Sequence, residues 1–461
     1  MSLFTSLRTS LTGIGAITSQ ISVVSNNIAN ASTEGYTQKT AVLSSTSTGG
    51  VSVTGYKRTT NDALFNSLNE STSNASYRST QDGYMDQIKT TLGITGSDSD
   101  NPELESVWSS FTSAWSALEA DPTNSSLQTA VVNAAQNVVS TVNSISSDID
   151  NLDAQISTDI TGTCSDLNSY LSQIADLNLK IASATSSGQD TGSLEDSRDQ
   201  LILKISSIAD IQVMDRDQGQ IAIYTDGGYC LLDGTNAQQF EFDGTDVYST
   251  NTPSVSLNGT LTGGSLQAAI DFRATNASGA STDSGKNVLQ KLREQLNAFV
   301  TSLTTGTSST DFAYVYNNAS GTSTEASTFF EGTSTSDFTV NASLVDGSET
   351  VKTEAISDCE TALSDSTKSF SAGNLSLTNV SYATIITGIL SASQTAASNI
   401  SSLSTTASDA QSYLKETYSN ATGVNSDDQT VLLTTLENAY ASLSHVIGVI
   451  QTMFDDLENI F

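Results

Sequence analysis

Basic residues, histidine, proline and cysteine are all scarce in this sequence. Its 461 residues carry 17 Lys and Arg against 50 Asp and Glu, a formal net charge of -33. Such a chain repels nucleic acid and anionic membrane surfaces, and no basic run offsets that repulsion locally, which argues against a nucleic-acid partner. The single histidine, His445, offers a hydrolase one imidazole base. It falls inside an apolar helical stripe, where a partly buried packing role is expected. Cys164, Cys230 and Cys359 are odd in number and far apart, which gives neither a disulfide framework nor a metal spacing, so they read as small core residues. Only 3 prolines interrupt the chain, and long helices are therefore permitted. No apolar run approaches the length of a membrane span, and no glycine-rich phosphate loop of standard spacing occurs. Neither membrane insertion nor a cofactor or metal is expected.

What is present is helical periodicity, strongest at the two ends. The N-terminal stripe runs Leu3, Leu7, Leu11, Ile14, Ile17, Ile21, Val24, Ile28. The C-terminal stripe runs Leu433, Leu436, Tyr440, Leu443, Ile447, Ile450, Phe454, Leu457, Phe461, alternating steps of three and four as a coiled-coil seam does. At 1.5 Å per residue the stripes are roughly 38 and 42 Å long, so they can pair along their lengths. Narrow, Ser/Thr-rich helices of this kind are marginal alone and take their stability from a partner. Arg8 and Ala29-Asn30-Ala31 imitate a secretory signal with its cleavage site. However, Thr12, Thr18, Ser19, Gln20 and Ser22 interrupt the apolar segment on one side, as an amphipathic helix requires. If the protein leaves the cell, it does so by a route other than a cleaved signal peptide.

The interior alternates in period. An extended stretch around Val51 and Val53 follows the first helix, and helical spacing returns with Leu64, Phe65 and Leu68. Asn101-Pro102 reads as the start of a helix bearing Trp108, Phe111 and Trp115. The longest run goes from Leu127 to Ile181, with Gly162 as a possible division, and Ser193 reads as the N-cap of a shorter helix through Ile208. From Ile211 to Val255 the period falls to 2 among Gly, Asp and Asn turn residues, which indicates antiparallel strands. Asn276 to Gly285 reads as a flexible insert, and Phe312 to Tyr316 and Phe338 to Val340 as short strands. A last long helix from about Val380 is broken at Gly423 and Asn425.

The expected fold is α+β and multidomain. Terminal helices (1–60 and 422–461) form a coiled coil with an adjoining extended segment. A long-helix bundle takes 61–209, 264–304 and 379–421, an inserted antiparallel β domain takes 210–263, and 305–378 is an irregular, β-rich outer segment. Enzyme chemistry is not expected. Asp215, Asp217 and Gly219 faintly imitate a calcium loop, but glycine stands where a ligand is needed and no Glu follows at the twelfth position. A glycan hydrolase would need two convergent carboxylates, and Asp243 and Asp246 read better as solvated turn residues.

After the first stripe come Asn26, Asn27, Ile28, Ala29 and Asn30, then Thr33, Gly35 and Tyr36. This segment resembles the signature that opens the axial proteins of the bacterial flagellum: rod, hook and hook-associated proteins. Ala439-Tyr440 and Val446-Ile447 are similar to that group's terminal helix. Asp121-Pro122, the segment Leu194 to Leu203, and Gly263-Gly264-Ser265-Leu266 before Arg273 narrow the resemblance to the hook-associated protein 1 family. The resemblance implies a structural subunit of the hook–filament junction, located outside the cell on the flagellum and exported through the flagellar type III apparatus. It implies a homo-oligomeric ring, with hook protein and hook-associated protein 3 as neighbours and an export chaperone bound to the C-terminal helix. The alternatives are another axial subunit, hook or flagellin-like, or a secreted glycan-active protein.

Overall fold

A computed structural model describes residues 3–47, 49–94, 103–251, 256–273, 287–306 and 308–458. Helix α1 (Leu3–Ala29) leads into a hairpin of β1 (Lys39–Thr46) and β2 (Gly50–Arg58). Then follow α2 (Asp62–Thr91), α3 (Glu103–Ala120), α4 (Ser125–Ser186) and α5 (Gly192–Ile208). Six short strands come next: β3 (Ile211–Asp215), β4 (Ile221–Thr225), β5 (Cys230–Asp233), β6 (Asn236–Ala237), β7 (Phe240–Phe242) and β8 (Val247–Ser249). Helices α6 (Gly264–Arg273), α7 (Val288–Thr304) and α8 (Phe312–Asn318) precede the two-residue strands β9 (Phe330–Glu331) and β10 (Thr339–Val340). Short helices α9 (Ala342–Val345) and α10 (Ile356–Ser364) and the hairpin β11 (Lys368–Ala372) with β12 (Leu375–Val380) follow. The chain closes with α11 (Tyr382–Thr422) and α12 (Ser426–Glu458).

Local chemistry sets several boundaries. Asn425 Oδ1 accepts from the Asp427 amide at 3.0 Å and caps α12. The cap of α5 is Thr191 rather than Ser193, and its hydroxyl bonds Glu195 Oε1 at 2.8 Å. Gly162 does not divide α4, which runs through it unbroken, because a lone glycine costs a helix only about 1 kcal/mol. The expected cap at Asn101-Pro102, Val255, the insert at 276–285 and Phe461 lie outside the described residues.

The chain gathers into two compact units. The first takes Met1–Tyr77, Gly162–Gln267 and Thr406–Phe461, the second Arg78–Thr161 and Ala268–Thr405. The partition differs from the one drawn on periodicity, because α2, α4 and α11 each supply residues to both units. The β strands of 210–263 also belong with the terminal helices rather than standing apart. Their attachment is polar. Asn178 Nδ2 on α4 donates to Ile221 O (3.0 Å) and Gly234 O (2.6 Å), and Asn168 Nδ2 donates to Phe240 O at 2.9 Å. These amides close the open ends of the antiparallel sheet β3-β4-β5-β6 and of the β7-β8 pair.

The second unit has an aromatic core. Trp108, Phe111 and Trp115 on α3 meet Phe299, Phe312, Phe329, Phe330 and Tyr382 at ring separations of 5.1 to 6.2 Å. Trp115 Nε1 donates to Ile356 O at 3.0 Å. Phe312 to Tyr316 is therefore helix, not strand. Phe312 and Tyr316 stack at 6.1 Å with Tyr314 exposed, and a spacing of four serves a helix face as well as it serves alternation. Cys164 and Cys359 are buried, and burial pushes the Cys164 thiol up to about 12. Cys230 is half-buried.

Candidate functional site

Helices α1 and α12 pack antiparallel along their lengths. Phe4 meets Phe454 edge-on at 5.2 Å, a Cβ on Gly13 would lie 3.0 Å from Leu443 Cδ1, and Asn27 bonds Gln429 at 3.0 Å. The three contacts step up one helix as they step down the other. Of the sequence-derived stripe, Val24, Leu436 and Ile450 are buried. Leu3, Leu7, Ile14, Ile17, Ile21, Ile28, Leu433, Leu443, Ile447 and Phe454 are half-buried. Leu11, Tyr440 and Leu457 are 54%, 42% and 47% exposed. Two helices cannot cover each other completely, and the residual exposure lies on positions that flank the seam. His445 is exposed as well, so its expected partial burial is corrected: it sits away from the line of Leu436, Leu443 and Ile450.

At the base of the pair lies a polar knot built on the Asn27 side chain, which is fully buried. Its Nδ2 donates to Lys39 O (2.8 Å) and Gln429 Oε1 (3.0 Å). Its Oδ1 accepts from Tyr36 OH (2.9 Å) and the Lys39 amide (3.1 Å). All four hydrogen-bonding positions of the amide are filled. The other signature residues form the turn that makes this possible. Asn30 Nδ2 donates to Asn26 O at 2.9 Å, Thr33 Oγ1 donates to Asn30 Oδ1 at 3.2 Å, and Gly35 takes φ +76°. A Cβ at Gly35 would collide with the Gln200 amide. Burial, then Asp196 and Asp190, raise the Tyr36 phenol above its ordinary value and keep it a donor.

A second layer joins the hairpin base to α5. Lys39 Nζ pairs with Asp196 at 3.0 Å, and Thr37 Oγ1 donates to the same carboxylate at 2.6 Å. Arg58 reaches Glu195 (2.7 Å), Asp196 (3.3 Å) and Asp199. Burial opposes the Arg58 charge, but the three carboxylates outweigh it and hold the guanidinium firmly charged. The stripes alone did not disclose this layer. The sequence marked Asp196, Arg198 and Asp199 within the family-like segment Leu194 to Leu203, but not that Asp196 and Asp199 pair with Lys39 and Arg58 of the hairpin. Deeper in the unit, Arg198 Nη1 binds Asn178 Oδ1 (3.1 Å) and Gly219 O (2.6 Å), so Asp215 to Gly219 is a held hairpin turn.

The two carboxylates weighed for a glycan hydrolase, Asp243 and Asp246, are both hydrogen-bonded within one turn. Asp243 Oδ1 accepts from the amides of Thr245 and Asp246 at 2.8 Å, and Asp246 Oδ1 accepts from Asn258 Nδ2 at 2.6 Å. Both carboxylates are spent on a turn. Among the described residues no three His, Cys, Asp or Glu side chains are placed to hold a metal. No described helix is long and apolar enough to cross a membrane. What the arrangement offers is surface. Beyond the seam, α12 exposes Val431, Leu432, Val446, Val449 and Met453, and the hairpin exposes Val42, Leu43 and Tyr56.

Comparison with known proteins bears on what such a surface serves. Residues 85–311 match the family model of the flagellar hook-associated protein FlgK helical domain. Residues 7–37 match that of flagella basal body rod proteins. Flagellar hook-associated protein 1 of Bacillus subtilis is 30% identical over 241 residues, covering 48% of this chain and 46% of the relative. That of Salmonella typhimurium is 26% identical over 240 residues, covering 50% and 42%. That of Escherichia coli is 23% identical over 307 residues, covering 62% and 54%. The chain thus spans about half the length of the curated relatives it matches. The flagellar hook junction protein FlgK of Burkholderia pseudomallei superposes with a TM-score of 0.47 at 22% identity, covering 58% of this chain and 46% of that one.

Proposed function

We propose, from the match of residues 85–311 to the FlgK helical-domain model and the similarity to flagellar hook-associated protein 1 of Bacillus subtilis and Salmonella typhimurium, that the chain is a member of that family and a structural subunit of the bacterial flagellum at the junction between hook and filament. It works by assembly and not by catalysis. The observation that carries this reading is the incompletely covered α1–α12 pair, whose stripe positions are mostly half-buried within one chain. A Leu or Ile that becomes fully buried contributes about 1.5 to 3 kcal/mol, so neighbours that finish covering the pair stabilise two marginal helices. Copies of the chain form a ring, hook protein lies below it and hook-associated protein 3 above. Before assembly the chain passes unfolded through the flagellar export apparatus, with a chaperone on α12.

The half-buried stripe suits that itinerary, since helices stable on their own resist unfolding for export. The test is electron microscopy of a strain lacking the gene. Bare hooks with flagellin lost to the medium are expected, and filaments of normal length and number overturn the reading.

A further inference from the structure

Helix α11 leaves a space beside it in the second unit. Its large apolar side chains Ile386, Ile389, Leu390 and Ile400 are buried to one side, and the side next to that one carries Gly388, Ala392, Thr395 and Ala396 instead. These small residues do not fill what lies in front of them, and a cavity of about 710 Å3 remains. Its other walls come from α2, α7 and the β11–β12 hairpin. Met85, Ile88 and Leu292, each 3% exposed or less, form the deep end, and Leu375 and Leu377 of β12 close over it. A Cβ on Gly388 would lie 2.8 Å from Leu377 Cδ1 and 3.5 Å from Leu375 Cδ2, so glycine lets the hairpin come down on the helix. Protein interiors hold few voids larger than a water molecule, whereas small-molecule pockets run from about 300 to 1,000 Å3. The space has the size of a ligand site.

Its charge runs against that of the chain. Acidic residues outnumber basic ones 50 to 17 overall, yet among the described residues lining this cavity Lys291 alone is charged, and none is aromatic. Two other cavities of the same unit follow the general trend, one carrying Glu103 and Asp148, the other Glu105 and Glu360. Lys291 stands where α7 meets the hairpin tip. A Cβ on Gly373 would lie 2.8 Å from Lys291 O, and Gln295 Nε2 donates to Asn374 Oδ1 at 3.0 Å. The lysine and the Asn374 amide therefore share one edge of the cavity, and its deep end is aliphatic.

We infer that this cavity binds an anionic amphiphile, its alkyl chain inside against Met85, Ile88 and Leu292 and its carboxylate on Lys291. Burial of methylene groups drives the chain in, and the lysine selects the sign of the head group. A flat ring would find no aromatic partner to stack on. An alkylammonium would meet a charge of its own sign with no carboxylate beside it. Every one of these residues belongs to the second unit, so the inference does not rest on the assembly of the terminal helices.

The test is calorimetric titration of the full chain with decanoate, which should show one molecule bound per chain. Decanol should bind about tenfold more weakly, the loss that goes with one charge-assisted hydrogen bond, and decyltrimethylammonium more weakly again. Lys291→Gln should bring decanoate down to the level of decanol and leave decanol unchanged. Ala392→Phe, which fills the space, should remove both, with circular dichroism checking the fold. A diazirine in the alkyl chain of decanoate gives a measurement free of substitutions, since light should attach it to peptides from α7 and β12. No binding of any probe, or attachment confined to other segments, overturns the cavity as a site. Decanol that binds as well as decanoate, or Lys291→Gln that binds decanoate unchanged, overturns the anionic ligand.

Discussion

Asn27 and Gln429 stand 402 positions apart in the chain, and their side-chain amides share a 3.0 Å hydrogen bond inside a closed polar knot. The bond fixes where α12 begins against where α1 ends. Leucines and isoleucines along a seam tolerate sliding by a turn, whereas a buried amide accepts only the register that satisfies it.

Asn27→Leu tests the knot. It leaves the Tyr36 hydroxyl, both backbone groups of Lys39 and Gln429 Oε1 without their partner. An orphaned buried polar group costs about 1 to 3 kcal/mol. The expected loss is therefore several kcal/mol, read as a lower urea midpoint and as early amide exchange in α1 and α12. Loss of the same size from Asn26→Leu, whose side chain is exposed, would show that the effect is not specific to the knot.

Gly35→Ala separates backbone strain from collision. The left-handed φ of +76° costs an alanine about 1 to 2 kcal/mol, and the Gln200 amide adds a clash. Shortening the neighbour with Gln200→Ala should recover the clash and leave the strain. Thermal unfolding of the two singles and the double measures both parts.

Alkali should loosen the base of the pair. The Tyr36 phenol is raised above the ordinary 10.0 by burial and nearby carboxylates, so its contribution is complete below pH 10 and fades as pH climbs through the higher folded value. Ionised, it can no longer donate to Asn27. Amide exchange at Lys39 should rise in that range, and Tyr36→Phe should show the faster exchange already at neutral pH, with no further alkaline step at this site.

Half-buried helices predict uneven protection. In the unassembled chain, amides of α1 and α12 should exchange well before those of α3, whose Phe111 and Trp115 are fully buried. Assembly should slow the terminal helices and leave α3 unchanged. Strong protection of both terminal helices in the monomer would remove the basis for a deferred interface.

A charge in the seam should block assembly alone. Leu443→Asp places a carboxylate against Gly13, and Ile447→Asp does so one turn on. Aromatic near-ultraviolet dichroism, dominated by the Trp108 to Phe330 cluster, should stay intact while junction formation in cells is lost. Normal filaments from either variant would count against the role of the seam.

Periodicity by itself determined the long helices, including the two end stripes, and the change of period at Ile211, because burial of one face repeats along a regular element and leaves its spacing in the chain. The signature from Asn26 to Tyr36 disclosed kinship, yet not its purpose. That purpose depends on partners from distant segments, Lys39, Asp196 and Gln429, whose meeting no local pattern encodes. The segment 305–378 was illegible for a related reason. Phe312, Phe329 and Phe330 are anchored by Phe111 and Trp115 some two hundred residues earlier, so its order comes from a shared core and not from its own spacing. Tertiary structure alone decided that α1 and α12 run antiparallel, that Leu11 and Tyr440 stay exposed, and that the strands after Ile211 belong with the terminal helices. Sequence spacing states how much apolar face a helix has; only packing states which part of it is left for a neighbour.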